Sequence, residues 1–279
     1  MSKLVDKAID EFLNKKETNK TGQVITAVVE DDKEFMRNFL PRFYDAYKMF
    51  FKDETVAEEN FCKNLSVLTA IRFDGTDQNV EPLSGAYQSM RQTNKGKLEG
   101  GLCWVGEGFA FILDTDMMVK TKEEATHTAI HEMIHLMTLV SIIRKDKKRI
   151  NRVGLCIDIN DKVAYFLNEG FTEKLAQITW SRMYPNVKCP GIGRYDINVQ
   201  TINLILNQLG NEDEVIEDFL TDSRQVIDRM KNQTDENNKD LYTYVHEFAQ
   251  QDVGNVNVQK KFEKNLKSFV YNNQNSIQI

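Results

Sequence analysis

Apolar residues recur along the chain at two spacings, and the changes from one to the other divide it into elements. Residues 4–13 carry them at helical intervals and predict a short amphipathic helix, followed by a polar loop over residues 15–22. The β-branched run Val24-Ile25-Thr26-Ala27-Val28-Val29 predicts a strand over residues 23–30. From residue 31 to about residue 51 the helical spacing returns with Phe35, Met36, Phe39, Leu40, Phe43 and Tyr47, aromatics that belong to a core rather than a cofactor pocket. Residues 65–73 predict a second strand. Residues 75–100 hold Gly, Pro, Ser and Asn with little periodicity and read as a long loop, placed equally well at the border of a cleft or as a surface excursion. Two short strands follow, residues 101–105 and 109–114, around the turn Gly106-Glu107-Gly108.

A long helix is predicted from Thr121 to about residue 144, opened by a capping box of Thr121 and Glu124. A second spans residues 164–179. Pro185 and Pro190 mark a break over residues 184–193. Helices are then expected at 195–209, 213–220 and 223–230, with a polar loop at 232–240. The last helices fall at 241–250 and 258–270, and the Asn/Gln-rich residues 272–279 are expected to fray. No internal repeat is visible.

The chain has only four histidines, and three of them, His127, His131 and His135, lie on the helix that Thr121 opens. Within His131-Glu132-Met133-Ile134-His135 the two histidines are four apart, so both imidazoles stand on one face and can meet a single cation. Glu132 beside them is placed to take a proton from a water at that cation. A catalytic zinc takes three protein ligands and keeps a fourth position open. The third is offered downstream, in Asn168-Glu169-Gly170-Phe171-Thr172-Glu173. Glu169 supplies a carboxylate, and Glu173, one turn later, can accept a hydrogen bond from the other nitrogen of a ligating histidine. The bland alternative is a solvated acidic face. Against it, Tyr165, Phe166, Leu167, Phe171, Leu175 and Ala176 make the segment largely apolar, and carboxylates there need a partner.

H-E-x-x-H followed by N-E-G-F-T-E resembles the gluzincin metallopeptidases, thermolysin-like zinc proteases whose third ligand is a glutamate on a second helix. The resemblance covers roughly residues 101–179. It implies that His131, His135 and Glu169 hold Zn2+, that Glu132 is the general base, and that Glu173, with Asn168 in the same motif, supports the ligands from behind. The gap between His135 and Glu169 is longer than in thermolysin. The metzincin pattern is excluded, because its Gly and His positions are Thr138 and Ser141 here. The order strand, helix, strand, hairpin, helix is also similar to the zincin N-terminal subdomain, in which an antiparallel edge strand lines the cleft. Here that strand is Gly101-Leu102-Cys103-Trp104, the expected substrate-binding segment; an ordinary buried hairpin is the equal alternative. The aminopeptidase branch carries an acid in G-x-M-E-N before the helix. Its absence from Gly100-Gly101-Leu102-Cys103-Trp104 favours an endopeptidase, with Glu107 nearby keeping the point open.

The expected fold class is α+β and zincin-like, with a small mixed β-sheet and the active-site helix in an N-terminal subdomain and a mainly helical C-terminal subdomain. The expected division is a leading helix and loop at 1–22, the first subdomain at 23–145 and the second at 146–279. Such sites usually add a donor for the developing oxyanion, and Tyr195 and His246 are the candidates. Tyr195 opens the C-terminal helices; His246 is the one histidine outside the long helix. His127 reads as a rim residue, since a catalytic site keeps its fourth position free.

Composition narrows the picture without changing it. With 279 residues, 41% hydrophobic and 28% charged, the chain can bury a sizeable core. A net charge of −6 without a basic stripe argues against nucleic acid as a partner and leaves a peptide or protein substrate. The basic run at 144–149 reads as the solvated end of the long helix. Cys62, Cys103, Cys156 and Cys189 form no C-x-x-C pair and are expected to be reduced thiols. The charged start Met1-Ser2-Lys3-Leu4-Val5-Asp6-Lys7 does not suit a signal peptide, and no apolar run reaches the ~20 residues of a membrane span. Cytosolic synthesis is expected, with export by a route lacking a cleaved signal left open. A narrow protein target, as for a toxin or effector, is compatible with the same residues. The rival class is a zinc-stabilised binding protein without turnover. Against it stands Glu132, a base for which a purely structural site has no use.

Overall fold

The computed structural model describes residues 2–73, 79–80, 101–104, 109–112, 121–143, 149–155, 162–235, 237–251, 253 and 255–276. The chain divides into two compact units, one of Met1–Val153 with Leu175–Gly191, the other of Gly154–Lys174 with Ile192–Ile279. Ten α-helices and three small sheets are present among the described residues, a mainly helical α+β arrangement.

In the first unit, α1 (Lys3–Asn14) is capped by Ser2, whose hydroxyl accepts from the Val5 N–H. It buries Val5, Ile9, Phe12 and Leu13, the stripe expected of helical spacing, and packs on α2 (Glu30–Tyr47) and α3 (Glu54–Val67). Strands β1 (Lys16–Thr18) and β2 (Val24–Thr26) form an antiparallel ribbon. The strand expected over 23–30 is therefore three residues long, because Glu30 already opens α2, with Glu30, Asp31 and Asp32 in its first turn where the helix dipole favours anions. Along α2, Phe35, Phe39, Phe43 and Tyr47 stack at centroid spacings of 5.4, 5.9 and 5.8 Å. The expected strand at 65–73 is corrected in the same way. Residues 65–67 finish α3, whose buried face is Ala57, Phe61, Asn64 and Leu65, and only β3 (Ala70–Phe73) is extended.

Strands β3, β4 (Gly101–Trp104) and β5 (Phe109–Ile112) make a mixed sheet in the order β3-β5-β4, with β3 parallel and β4 antiparallel to β5. The hairpin strands are thus where the sequence puts them. The turn between them and most of the long loop at 75–100 lie outside the described residues. Helix α4 (Lys122–Met137) packs on β4, β5 and α3. It is shorter than the expected helix to residue 144. Leu139–Ile143 is strand β6, paired antiparallel with β7 (Arg149–Val153), because the run Leu-Val-Ser-Ile-Ile suits a pleated ribbon better than a helix. The basic run therefore does not end a helix. Its residues 144–148 lie outside the described residues, and Arg149 opens β7.

Helix α5 (Lys162–Met183) belongs to the second unit up to Lys174 and to the first from Leu175. The second unit continues with α6 (Asp196–Leu209), α7 (Glu212–Asp222), α8 (Arg224–Asn232), α9 (Leu241–Ala249) and α10 (Val256–Ser276). Its core joins Phe171 to Phe219, stacked at 4.7 Å, and Phe248 to Phe262 at 4.0 Å. The expected helices 195–209, 213–220, 223–230, 241–250 and 258–270 all appear, with ends shifted by a few residues; α10 runs on through the tail expected to fray, as far as Ser276. No helix among the described residues is long and apolar enough to cross a membrane.

Candidate metal centre

Helix α4 starts with the predicted capping box. The Glu124 N–H donates to the Thr121 hydroxyl at 3.2 Å, and the Thr121 N–H donates to Glu124 Oε2 at 2.8 Å. From Thr126 to Met137 every residue is buried, so polar and apolar faces alike are enclosed. His127, His131, Glu132 and His135 are 0, 2, 5 and 6% exposed. The far end is held by α3. Asn64 Nδ2 donates to the Met137 carbonyl at 2.8 Å and to Asn60 Oδ1 at 2.9 Å, and Asn60 Oδ1 also accepts from the Tyr47 hydroxyl at 2.8 Å. Thr138 closes the last turn through its hydroxyl on the His135 carbonyl, 2.7 Å.

This frame brings His131 Nε2 to 3.1 Å from His135 Nε2, with the rings at 78°. Glu169, 6% exposed on α5, completes a group whose three ligand atoms all lie within 4.8 Å of one another. Among the described residues no other set of three or more His, Cys, Asp or Glu side chains is so arranged. Two facing imidazoles and a carboxylate, each removed from water, are a donor set that a divalent cation satisfies. No known protein family, curated protein or solved structure matches this chain.

The neighbouring motif residues have visible partners. Glu173 is fully buried, and its Oε1 accepts from the Ile192 N–H at 2.9 Å. Asn168 Oδ1 accepts from the Leu155 N–H at 3.1 Å, fixing the turn after β7. That turn places Gly154 at φ +52°, and a Cβ there would stand 1.9 Å from Asn168 Oδ1. Gly170 has a different reason. A Cβ on it would meet Ile202 Cγ1 at 2.8 Å and the Asn198 carbonyl at 3.0 Å, so its absence lets α6 approach α5 closely.

Of the candidate oxyanion donors, Tyr195 is buried (6% exposed) at the entrance to α6, and His246 is exposed on α9 beside Tyr242 at 6.3 Å. Strand β4, carrying Gly101, Leu102, Cys103 and Trp104, is an edge of its sheet among the described residues and adjoins α4. His127 lies with Nδ1 3.5 Å from Cys189 Sγ and its ring edge-on to Trp180 at 5.9 Å. Neither that pair nor the Asn64 clamp has a local sequence signal, since each joins residues more than sixty positions apart.

Proposed function

We propose that this chain is a zinc-dependent metallopeptidase of the gluzincin type with a zincin-like fold, acting as an endopeptidase on peptide or protein substrates. The observation that carries the reading is the buried group of His131, His135 and Glu169, with Glu132 buried next to the first ligand. The donors suit zinc: two nitrogens each ~2.0–2.1 Å from a tetrahedral ion stand about 3.3 Å apart, close to the 3.1 Å between the two Nε2 atoms. Two imidazoles and one carboxylate also leave a coordination position free, the hallmark of catalytic rather than structural zinc.

Zinc bound there supplies Lewis acidity toward a substrate carbonyl and toward water. The chain's own part is proton transfer and positioning. The Glu132 carboxylate takes a proton from the attacking water and returns it to the leaving amine. The edge of β4 that no strand covers among the described residues lies beside α4 and would offer backbone N–H and C=O groups to an extended peptide. Tyr195, already buried, is the better of the two hydroxyl or imidazole donors for the developing oxyanion, because His246 is exposed to water, where a hydrogen bond gains least.

The test is digestion of a mixed peptide library by the zinc-loaded protein and by Glu132→Gln, read by mass spectrometry. The wild type is expected to cut within peptides, and the variant to be slower by at least about 100-fold with its zinc content unchanged. A variant that cuts at the wild-type rate would remove Glu132 as the base. Failure of the wild type to retain zinc would remove the reading altogether.

A further inference from the structure

The loop after α5 carries a second arrangement of reactive side chains that the metal reading does not use. Cys189 is partly exposed, and its Sγ lies 3.5 Å from Nδ1 of His127, a histidine with no exposed surface. The ring packs edge-on against Trp180, at 5.9 Å between centroids. The loop that carries the thiol is anchored nearby. Two residues before it, the Val187 carbonyl accepts from Trp180 Nε1 at 3.1 Å, and the Val187 N–H donates to the Tyr184 carbonyl at 3.0 Å. The exposed Lys188 adds a positive charge next along the chain. Solvent on one side, a buried base on the other and a lysine alongside are the surroundings in which a cysteine is nucleophilic. Cys62 offers the contrast: burial, and then the Glu58 carboxylate, push its thiol up, away from the reactive form.

We propose that Cys189 and His127 form a thiol–imidazole pair that makes Cys189 a site of reversible thiolation by small-molecule disulfides. In the step, the Cys189 proton passes to His127 Nδ1 and the sulfur attacks one sulfur of the disulfide. The disulfide bond breaks as the new Sγ–S bond forms, and the departing thiolate recovers the proton as a free thiol. One disulfide is consumed, one thiol is released, and no other oxidant is needed. Nothing in the step requires a metal, so it stands or falls apart from the peptidase reading.

The probe is glutathione disulfide, with the added mass located by peptide mapping and its rate compared with that of a free peptide spanning residues 184–192. The folded protein is expected to react at Cys189 at least about tenfold faster than the peptide, despite partial burial, and to release the adduct with dithiothreitol. A His127→Gln protein with an unchanged circular dichroism spectrum is expected to fall to the peptide's rate. Reaction at Cys189 no faster than in the peptide, or first addition at Cys62, would overturn the proposal. So would a folded His127→Gln protein that reacts as fast as the wild type.

Discussion

A buried hydroxyl is costly without a partner, about 1–3 kcal/mol, and two tyrosines on α2 show both outcomes. Tyr47 donates to Asn60, whereas the Tyr44 hydroxyl, equally buried, has no hydrogen-bond partner among the described residues. Burial pushes both phenols up, Tyr44 to about 12, with the Glu54 and Glu58 carboxylates adding to the effect, and Tyr47 well above its ordinary value. The sign follows from linkage: between pH ~10, where tyrosines of the unfolded chain ionise, and the higher folded values, the native state binds more protons and stability falls as pH rises. Urea unfolding at pH 7 and pH 11 should therefore show a loss at the higher pH. Replacing Tyr44 by Phe should reduce that loss and leave stability at pH 7 equal or slightly higher. A destabilised Tyr44→Phe protein at pH 7 would mean that the hydroxyl has a partner.

At the scale of elements, α4 is the helix whose beginning and end are fixed by different means. Its start is local chemistry: Thr121 and Glu124 satisfy each other's N–H groups, and Thr121→Ala should cost about 1 kcal/mol, measured as a lower urea midpoint at unchanged slope. Its end is tertiary, set by Asn64 and by the β6–β7 ribbon. The sequence accordingly reveals the start and overruns the end, since His-Leu-Met-Thr continues into Leu-Val-Ser-Ile-Ile with no Gly or Pro to stop the pattern. The same limit hides α3, where Asn64 is one of only four buried residues and the other positions are polar enough to mask the stripe. The motif residues are the easiest to read. His131 and His135 are placed by helical spacing alone, and Glu169 by the one acidic motif in an apolar segment. Glu173 and Asn168 each accept from a backbone N–H group of a loop, a contact that leaves no mark in the side-chain pattern.

For the molecule as a whole, the consequence of the proposed metal site at His131, His135 and Glu169 is thermodynamic. An ion that binds the native chain and not the unfolded one stabilises it by about 2.7 kcal/mol at a hundredfold excess over Kd. For a chain of this length that corresponds to a rise in Tm of roughly 4–5 °C. Calorimetry with and without zinc should show that shift in the wild type, and Glu169→Ala should lose most of it at the same zinc concentration. An equal shift in the variant would mean that the ion binds elsewhere.

The turn at Gly154 has a consequence for heredity rather than for energy. A side chain at that position would occupy the place of the Asn168 amide, and the positive φ would strain it even if the amide moved away. The two positions are therefore expected to drift as a unit, lost or kept together wherever related sequences diverge. Asn168 stands immediately before Glu169, where its persistence would ordinarily be credited to catalysis. Here it would record the shape of a turn.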